Sequence, residues 1–169
     1  VLSTTDAFKD NTYQGMKYLF VETVEGTGTL TMANAVIAAI GSGRPFKIYT
    51  PVCIADGTRN SFGCSTFVNY LYGDLSGSGY LEVRNGSTGG GLYLYGDNSE
   101  FSGEFDSSEM TRCTSAFYAG NATSSKAIWK LRGTDQDINR VAFITDSSTY
   151  YFGALLEGSL LQSVYNNPT

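Results

Sequence analysis

The chain has 169 residues and a formal net charge of −5, with 41% hydrophobic, 14% aromatic and only 16% charged residues. This composition excludes a disordered tail, and the negative charge argues against nucleic acid or anionic lipid as partners. No apolar run reaches the roughly 18 residues of a membrane span. We therefore predict a single domain over residues 1–169, with no nucleic-acid partner and no membrane insertion of this segment.

The elements predicted along the chain are short strands, because the hydrophobic period is two nearly everywhere and the 20 glycines suit tight corners. In chain order, we predict strands at residues 32–40, 46–54, 67–72, 81–83, 92–94, 127–131, 141–145 and 150–156. The first of these segments is also compatible with a turn or two of helix, but its place in a repeated pattern favours a strand. The predicted fold class is all-β.

Two blocks, residues 24–36 and 75–87, share a glycine-rich corner followed by an alternating strand. An offset of 51 residues places Gly28 on Gly79. Alternation in the second block separates the inward side chains, Leu81 and Val83, from the outward side chains, Tyr80, Glu82 and Arg84. Hairpins and the stacked turns of a coil both fit this pattern, and the scarcity of two-residue Asn-Gly turns favours the coil.

Ten residues of the segment 75–106 recur at the spacing of a known repeat. They are Gly77, Gly79, Leu81, Gly91, Leu92, Leu94, Gly96, Asn98, Phe101 and Gly103. With these residues the segment resembles the autotransporter-associated β-strand repeat. The block at residues 24–36 matches only the opening of that repeat.

The resemblance implies a right-handed parallel β-helix, or β-solenoid, from a passenger that bacteria secrete or display at the cell surface, associated with the outer membrane. Because the two ends of such a coil stay unpaired, we expect the chain to be a fragment of a longer repeat protein or a module with its own caps. The expected function is that of a structural shaft or an adhesin, and the expected partner is a host or cell-surface glycan or protein.

Catalytic chemistry has few candidates, because the chain contains no histidine. The acidic pairs are Asp97 with Glu100, Asp106 with Glu109, and Asp135 with Asp137. Each pair is predicted to lie in a turn, where carboxylates usually bond to nearby backbone N–H groups. Oxygen ligands for calcium at Asp135, Asp137 and Asn139 lack the nonapeptide pattern of calcium-binding solenoids. We therefore expect no catalytic residue, no metal and no cofactor.

Tyr80, Tyr93 and Tyr95 are the candidate ligand-binding residues, because outward aromatic rings can stack on sugars or on a protein partner. The alternative, which we favour, is that stacked turns place like residues above one another and that the rings pack into a ladder. Trp129 alternates in phase with Ala127 and Leu131 and is predicted to lie in the core.

Two alternatives to a shaft or adhesin stay open. One is a carbohydrate-active β-helix enzyme, such as a glycosidase or polysaccharide lyase, and the other is a carbohydrate-binding module that uses the outward tyrosines.

The state of the three cysteines also stays open. Cys53, Cys64 and Cys113 are interpreted either as buried thiols or as a Cys53–Cys64 bridge with one thiol left over.

Overall fold

The structure is a computed structural model that describes residues 12–13, 16–39, 44–64, 67–85, 90–108, 110, 114–118, 120–131, 140–144 and 149–156. Within these ranges the chain forms seventeen strands and one short 3-10 helix, η1, at Gly120–Ala122. The strands are β1 (Thr12–Tyr13), β2 (Met16–Val21), β3 (Thr23–Val24), β4 (Leu30–Met32), β5 (Ala35–Ala39), β6 (Lys47–Ile48), β7 (Val52–Ile54), β8 (Arg59–Cys64), β9 (Val68–Leu71), β10 (Leu75–Gly77), β11 (Tyr80–Asn85), β12 (Gly91–Leu94), β13 (Glu104–Asp106), β14 (Thr114–Phe117), β15 (Ile128–Lys130), β16 (Arg140–Phe143) and β17 (Ala154–Leu155).

The strands stack into three sheets that wrap around one core. The long sheet has the order β1-β2-β5-β8-β11-β13-β15-β17, the middle sheet has the order β3-β6-β9-β12-β14-β16, and the short sheet has the order β4-β7-β10. From β2 to β10 the chain visits the long, middle and short sheets in turn, and then returns to the long sheet. β1 pairs antiparallel with β2, and the other described strand pairs are parallel. The all-β, parallel β-solenoid fold class is confirmed.

One turn of the solenoid takes nearly the same length of chain each time. In the middle sheet Tyr70 pairs with Tyr93 and Tyr93 with Ala116, which are two equal intervals. In the long sheet Leu81 pairs with Phe105 and Phe105 with Trp129, again at equal intervals, each slightly longer than those of the middle sheet. A near-constant repeat places the same side chain position of successive turns in one column.

The core consists of such columns of apolar side chains. Leu81, Phe105 and Trp129 are fully buried and in register on the inner face of the long sheet. Leu71 and Leu94 are equally buried on the middle sheet. The inward positions predicted from the sequence, Leu81, Val83 and Trp129, are fully buried, so their assignment to the core is confirmed. Leu92, Leu94 and Phe105 are equally buried.

Buried asparagines tie one turn to the next at the corners. Asn98 accepts a hydrogen bond from the Leu75 N–H at 2.7 Å, and its amide donates to the Ala122 carbonyl at 2.9 Å. Asn69 likewise accepts from the Phe46 N–H and donates to the Gly91 carbonyl. Each amide thus satisfies backbone groups of two neighbouring turns that the corners leave without sheet partners.

The strand predictions are confirmed in place but not always in extent. The segment 46–54 is two strands, β6 and β7, on two different sheets, because the chain turns a corner at residues 49–51. The segment 32–40 likewise divides, since Asn34 adopts a left-handed φ of 53° between β4 and β5. Of the segment 150–156, only Ala154–Leu155 pairs as a strand. Residues 40 and 145 lie outside the described ranges.

The offset that aligned the two glycine-rich blocks is wrong as a structural repeat. It placed Leu30 on Leu81, yet Leu30 lies in the short sheet, where it pairs with Val52, while Leu81 lies in the long sheet. The residue two turns beyond Leu30 is Leu75, which also pairs with Val52. Two different corners of the solenoid carry the same Gly-x-Gly sequence pattern.

In the part of the chain that the structure describes, no helix has the length and apolarity needed to cross a membrane.

Candidate functional site

Four tyrosines form a column on the outer face of the middle sheet, which we call the tyrosine ladder. Its members, one from each of four successive turns, are Tyr49, Tyr72, Tyr95 and Tyr118. Each follows directly after a strand of the middle sheet, and its backbone N–H donates to a carbonyl of the preceding turn. The parallel register therefore holds these residues in line, at equal intervals along the chain.

The rings of the ladder stack face to face. The distances between ring centroids are 4.7 Å for Tyr49 and Tyr72, 4.9 Å for Tyr72 and Tyr95, and 4.1 Å for Tyr95 and Tyr118. The corresponding interplanar angles are 8°, 28° and 14°. Since neighbouring strands lie about 4.8 Å apart, the backbone spacing itself sets a stacking distance. Both faces of the Tyr72 and Tyr95 rings are covered by other rings.

Two further tyrosines widen this face. Tyr70 and Tyr93 lie on β9 and β12, in register with each other, and their rings meet edge to face with centroids 5.9 Å apart. Tyr70 also lies parallel to Tyr72 at 5.7 Å, and Tyr93 contacts Tyr118 at 5.3 Å. The outer face of the middle sheet therefore carries a continuous patch of six tyrosines.

Three hydroxyls of this patch, those of Tyr72, Tyr93 and Tyr95, stay protonated at neutral pH. Burial raises the pKa of Tyr72, Tyr93 and Tyr95, and neighbouring tyrosines raise it further. At Tyr95 a hydrogen bond to the Tyr118 hydroxyl adds to the effect of burial. These three residues consequently present neutral phenols.

Of the predicted ligand-binding residues, the structure brings Tyr93 and Tyr95 together on the middle sheet but places Tyr80 on the long sheet. The sequence interpretation missed the other tyrosines of the patch, which are Tyr49, Tyr70, Tyr72 and Tyr118. The signal that could have identified them is the recurrence of tyrosine at one constant interval along the chain. The expected ladder is confirmed for Tyr93 and Tyr95 and is longer than predicted, but it is wrong for Tyr80, whose register neighbours are Arg59 and Glu104.

Tyr80 belongs to a charged cluster on the outer face of the long sheet. Its hydroxyl donates to Oδ2 of Asp106 at 2.9 Å, and the Arg59 guanidinium lies 4.6 Å from the centre of its ring. Burial, followed by the hydrogen bond to Asp106, raises the pKa of Tyr80. The ring is thus occupied by contacts within the chain, including a cation–π contact on one face.

The cluster also brings together two carboxylates that lie a full turn of the solenoid apart in the sequence. Glu82 and Asp106 are paired in register on adjacent strands, and both residues are more than nine-tenths buried. Nη2 of Arg84 lies 2.7 Å from the Glu82 carboxylate, and Arg59 lies 3.5 Å from it. Lys130 contacts Glu104 and lies 3.8 Å from Asp106. Sequence alternation correctly placed Glu82 outward, but neighbouring side chains bury it.

The electrostatics of this cluster favour ion pairs over acid catalysis. Burial opposes ionisation of Asp106, but hydrogen bonds from Ser108 and Tyr80 and the charge of Lys130 hold the pKa of Asp106 below its ordinary value. The hydrogen bond to Glu104 raises the pKa of Lys130. Both groups are therefore charged at neutral pH. An enzyme that hydrolyses a glycoside with two carboxyl groups needs one of them protonated, as the general acid. Asp106 is ionised and does not supply that acid.

The lowered pKa of Asp106 predicts a loss of stability in acid. Because the unfolded chain takes up the proton first as pH falls, Asp106 stabilises the fold above its unfolded pKa of about 3.9, and this contribution disappears as pH falls through the folded pKa. Asp106→Asn should cost about 1 to 3 kcal/mol at pH 7, and the difference from the unsubstituted chain should shrink below about pH 4. Chemical denaturation between pH 7 and pH 3 measures both quantities.

Glu100→Gln is the matched control, because the Glu100 side chain is 75% exposed in its ion pair with Lys126. Its free energy of unfolding should stay within about 1 kcal/mol of the unsubstituted chain at pH 7. A constant difference between Asp106→Asn and the unsubstituted chain at every pH would contradict the role given to Asp106.

Of the predicted acidic pairs, Asp97 with Glu100 is the one whose two members both lie in the described part of the chain. Asp97 lies in a corner, accepts from the Ser99 N–H at 3.0 Å and from the Asn121 amide at 3.2 Å, and its pKa is lowered chiefly by Ser99. The prediction that Asp97 lies in a turn is confirmed. The same prediction is wrong for Asp106, which ends strand β13 because its backbone pairs with Glu82 and Lys130. Glu109, Asp135, Asp137 and Asn139 lie outside the described residues.

The thiols of Cys53 and Cys64 are not joined to each other. Cys53 is a half-buried free thiol on β7, whereas Cys64 is buried at the end of β8 in a different sheet. Cys113 lies outside the described residues. Over the described ranges, no group of three or more Cys, Asp or Glu side chains is placed to hold a metal ion.

Comparison of the chain with known protein families, with curated proteins and with solved structures finds no match.

Proposed function

We propose that the chain is a passenger segment, surface-displayed or secreted by a bacterium, that acts as a structural shaft. The observation that supports this proposal most strongly is the tyrosine ladder, because it repeats one side chain contact across four turns. A contact repeated in this way adds a stabilising interaction at each junction between turns that it crosses.

Three kinds of contact cross each junction in the middle of the solenoid. Backbone hydrogen bonds join the parallel strands, buried amides such as Asn98 bridge the corners, and apolar columns such as Leu71 and Leu94 fill the interior. With its interior closed by side chains, the coil resists bending and compression. The resemblance of residues 75–106 to the autotransporter-associated repeat supports the bacterial surface as the location and a right-handed coil.

The outer faces favour a shaft over the two carbohydrate-related alternatives. Stacking on a sugar requires a free aromatic face, and the faces of Tyr72 and Tyr95 are covered by neighbouring rings. The carboxylates of Glu82 and Asp106 are held by cations of the same cluster. Each of these groups already has its partner within the chain.

The location is tested by protease treatment of intact bacterial cells that produce the protein. We expect brief treatment to remove the protein from intact cells while a cytoplasmic marker survives. Cleavage that occurs only after the cells are lysed would contradict surface display, and absence from both the surface and the culture medium would exclude secretion as well.

The shaft is tested against the alternatives with a panel of soluble and insoluble polysaccharides. We expect neither retention of the chain on any polysaccharide nor release of reducing ends or unsaturated sugars, because the faces of Tyr72 and Tyr95 are covered and the carboxylates of Glu82 and Asp106 are paired with cations. Retention that disappears in a Tyr93→Ala, Tyr95→Ala double variant would favour a binding module instead. Product release that disappears in Glu82→Ala or Asp106→Asn would establish an enzyme.

A further inference from the structure

We propose that the tyrosine ladder is a site of oxidative cross-linking, at which Tyr95 and Tyr118 are joined into an intramolecular dityrosine by a peroxidase-type one-electron oxidant that uses hydrogen peroxide. This proposal does not depend on the shaft function. It concerns a covalent modification of the ladder that would fix one turn of the solenoid to the next.

The geometry selects this pair among the stacked rings. Tyr95 and Tyr118 have the shortest separation of ring centroids in the ladder, 4.1 Å, and their planes differ by only 14°. The other two stacked pairs of the ladder lie at 4.7 Å and 4.9 Å. Two rings held in this way have a high effective concentration for coupling.

Both rings keep part of their surface exposed to an oxidant, although neighbouring rings cover the faces of Tyr95. Tyr95 and Tyr118 are half-buried on the outer face of the middle sheet. Trp129, the only tryptophan of the chain, is fully buried in the core and does not present its ring to an enzyme at the surface. Tyr93 also contacts Tyr118, with ring centroids 5.3 Å apart and planes that differ by 41°. The Tyr93 ring is therefore farther from Tyr118, and less parallel to it, than the Tyr95 ring is.

The reaction balances with hydrogen peroxide as the electron acceptor. Each phenol loses one electron and its hydroxyl proton to give a tyrosyl radical. The two radicals join through their ortho carbons, and the two ring hydrogens at those carbons return to the phenolic oxygens by way of solvent. Overall, one peroxide molecule takes two electrons and two protons and becomes two molecules of water, while the protein loses two hydrogens.

The experiment uses the purified full chain, dilute and with its thiols blocked, treated with a haem peroxidase and hydrogen peroxide. Trypsin cleaves after Arg84, Arg112 and Lys126, so Tyr95 lies in peptide 85–112 and Tyr118 in peptide 113–126. We expect these two peptides to be recovered joined, with a mass two hydrogens below their sum and with dityrosine fluorescence. Chain unfolded in urea should give at least about tenfold less of this product, because its rings are no longer held together.

Conservative variants identify the coupled rings. Tyr95→Phe and Tyr118→Phe keep the stacked ring and remove only the hydroxyl, so each variant should fold, which circular dichroism checks. In each variant the yield of the joined peptide should fall at least about tenfold. Tyr93→Phe, within the same peptide as Tyr95, should retain it. The proposal is overturned if the joined peptide forms equally in Tyr95→Phe, if peptide 60–84 becomes the main partner of peptide 85–112, or if the products only link separate chains.

Discussion

Leu94→Asp is expected to abolish cooperative folding of the chain. Leu94 is fully buried and lies in register between Leu71 and Phe117 on the inner face of the middle sheet. An aspartate there would bury a carboxylate among apolar side chains without a cation or a hydrogen-bond donor from this column. The cost of several kcal/mol is comparable to the whole stability of a domain, about 5 to 15 kcal/mol. Circular dichroism and the loss of a cooperative denaturation transition would measure the effect.

Ile128→Asp is the matched control for Leu94→Asp, since it places the same carboxylate on a strand of the same solenoid. Ile128 points outward from β15 and is 38% exposed, so the new charge stays hydrated. Its register neighbour Glu104 already pairs with Lys130, and we expect a cost near or below about 1 kcal/mol. If both variants unfolded, or if both folded, the assignment of inner and outer faces would be wrong.

The inner face of the solenoid was predictable because it depends on local alternation. Leu81 and Val83 alternate with Tyr80 and Glu82, and a strand places successive side chains on opposite faces whatever its neighbours are. The same rule identified Trp129 as a core residue. Burial of the outward Glu82 was not predictable, because it results from arginines on its own strand and on the neighbouring turn.

The assignment of strands to sheets was not predictable from the glycine-rich corners. A sharp corner favours glycine wherever it occurs, so Gly28, which precedes a strand of the short sheet, and Gly79, which precedes a strand of the long sheet, carry the same local pattern. Their surroundings differ. A Cβ at Gly79 would overlap the Ala55 backbone, whereas a Cβ at Gly28 would meet no atom within 4 Å. Such contacts come from another turn and leave no trace in the local spacing.

The candidate site was predictable in kind rather than in membership. Stacked turns bring like residues together, which is why a ladder was expected at Tyr80, Tyr93 and Tyr95, and the expectation failed only at Tyr80. Finding the remaining members required the equal intervals between Tyr72, Tyr95 and Tyr118, and the alignment of the two glycine-rich blocks concealed them. The pairing of Glu82 with Asp106 depends on register across a full turn, which is set by the lengths of the corners between the strands.

Gly77→Ala is expected to destabilise the fold by about 4 kcal/mol or more, an exceptional value for the addition of one methyl group. Gly77 has a φ of 90°, which residues with a Cβ rarely adopt. An added Cβ would also overlap the carbonyl oxygen of Ile54 in the preceding turn. That carbonyl accepts hydrogen bonds from the N–H groups of Ser78 and Gly79, so a shift that relieves the overlap would break the corner. Chemical denaturation of the variant measures the loss.

Two other glycines separate the contributions of strain and overlap at Gly77. Gly57 has a φ of 65° with no atom within 4 Å of its Cβ position, so Gly57→Ala should show backbone strain alone, about 1 to 2 kcal/mol. Gly28 has neither feature, and Gly28→Ala should change the free energy of unfolding by no more than about 0.5 kcal/mol. A rising series from Gly28 through Gly57 to Gly77 is therefore expected. Of these three glycines, only Gly77 faces the backbone of the preceding turn. Equal losses of stability at Gly77 and Gly57 would therefore mean that contact between successive turns does not constrain this corner.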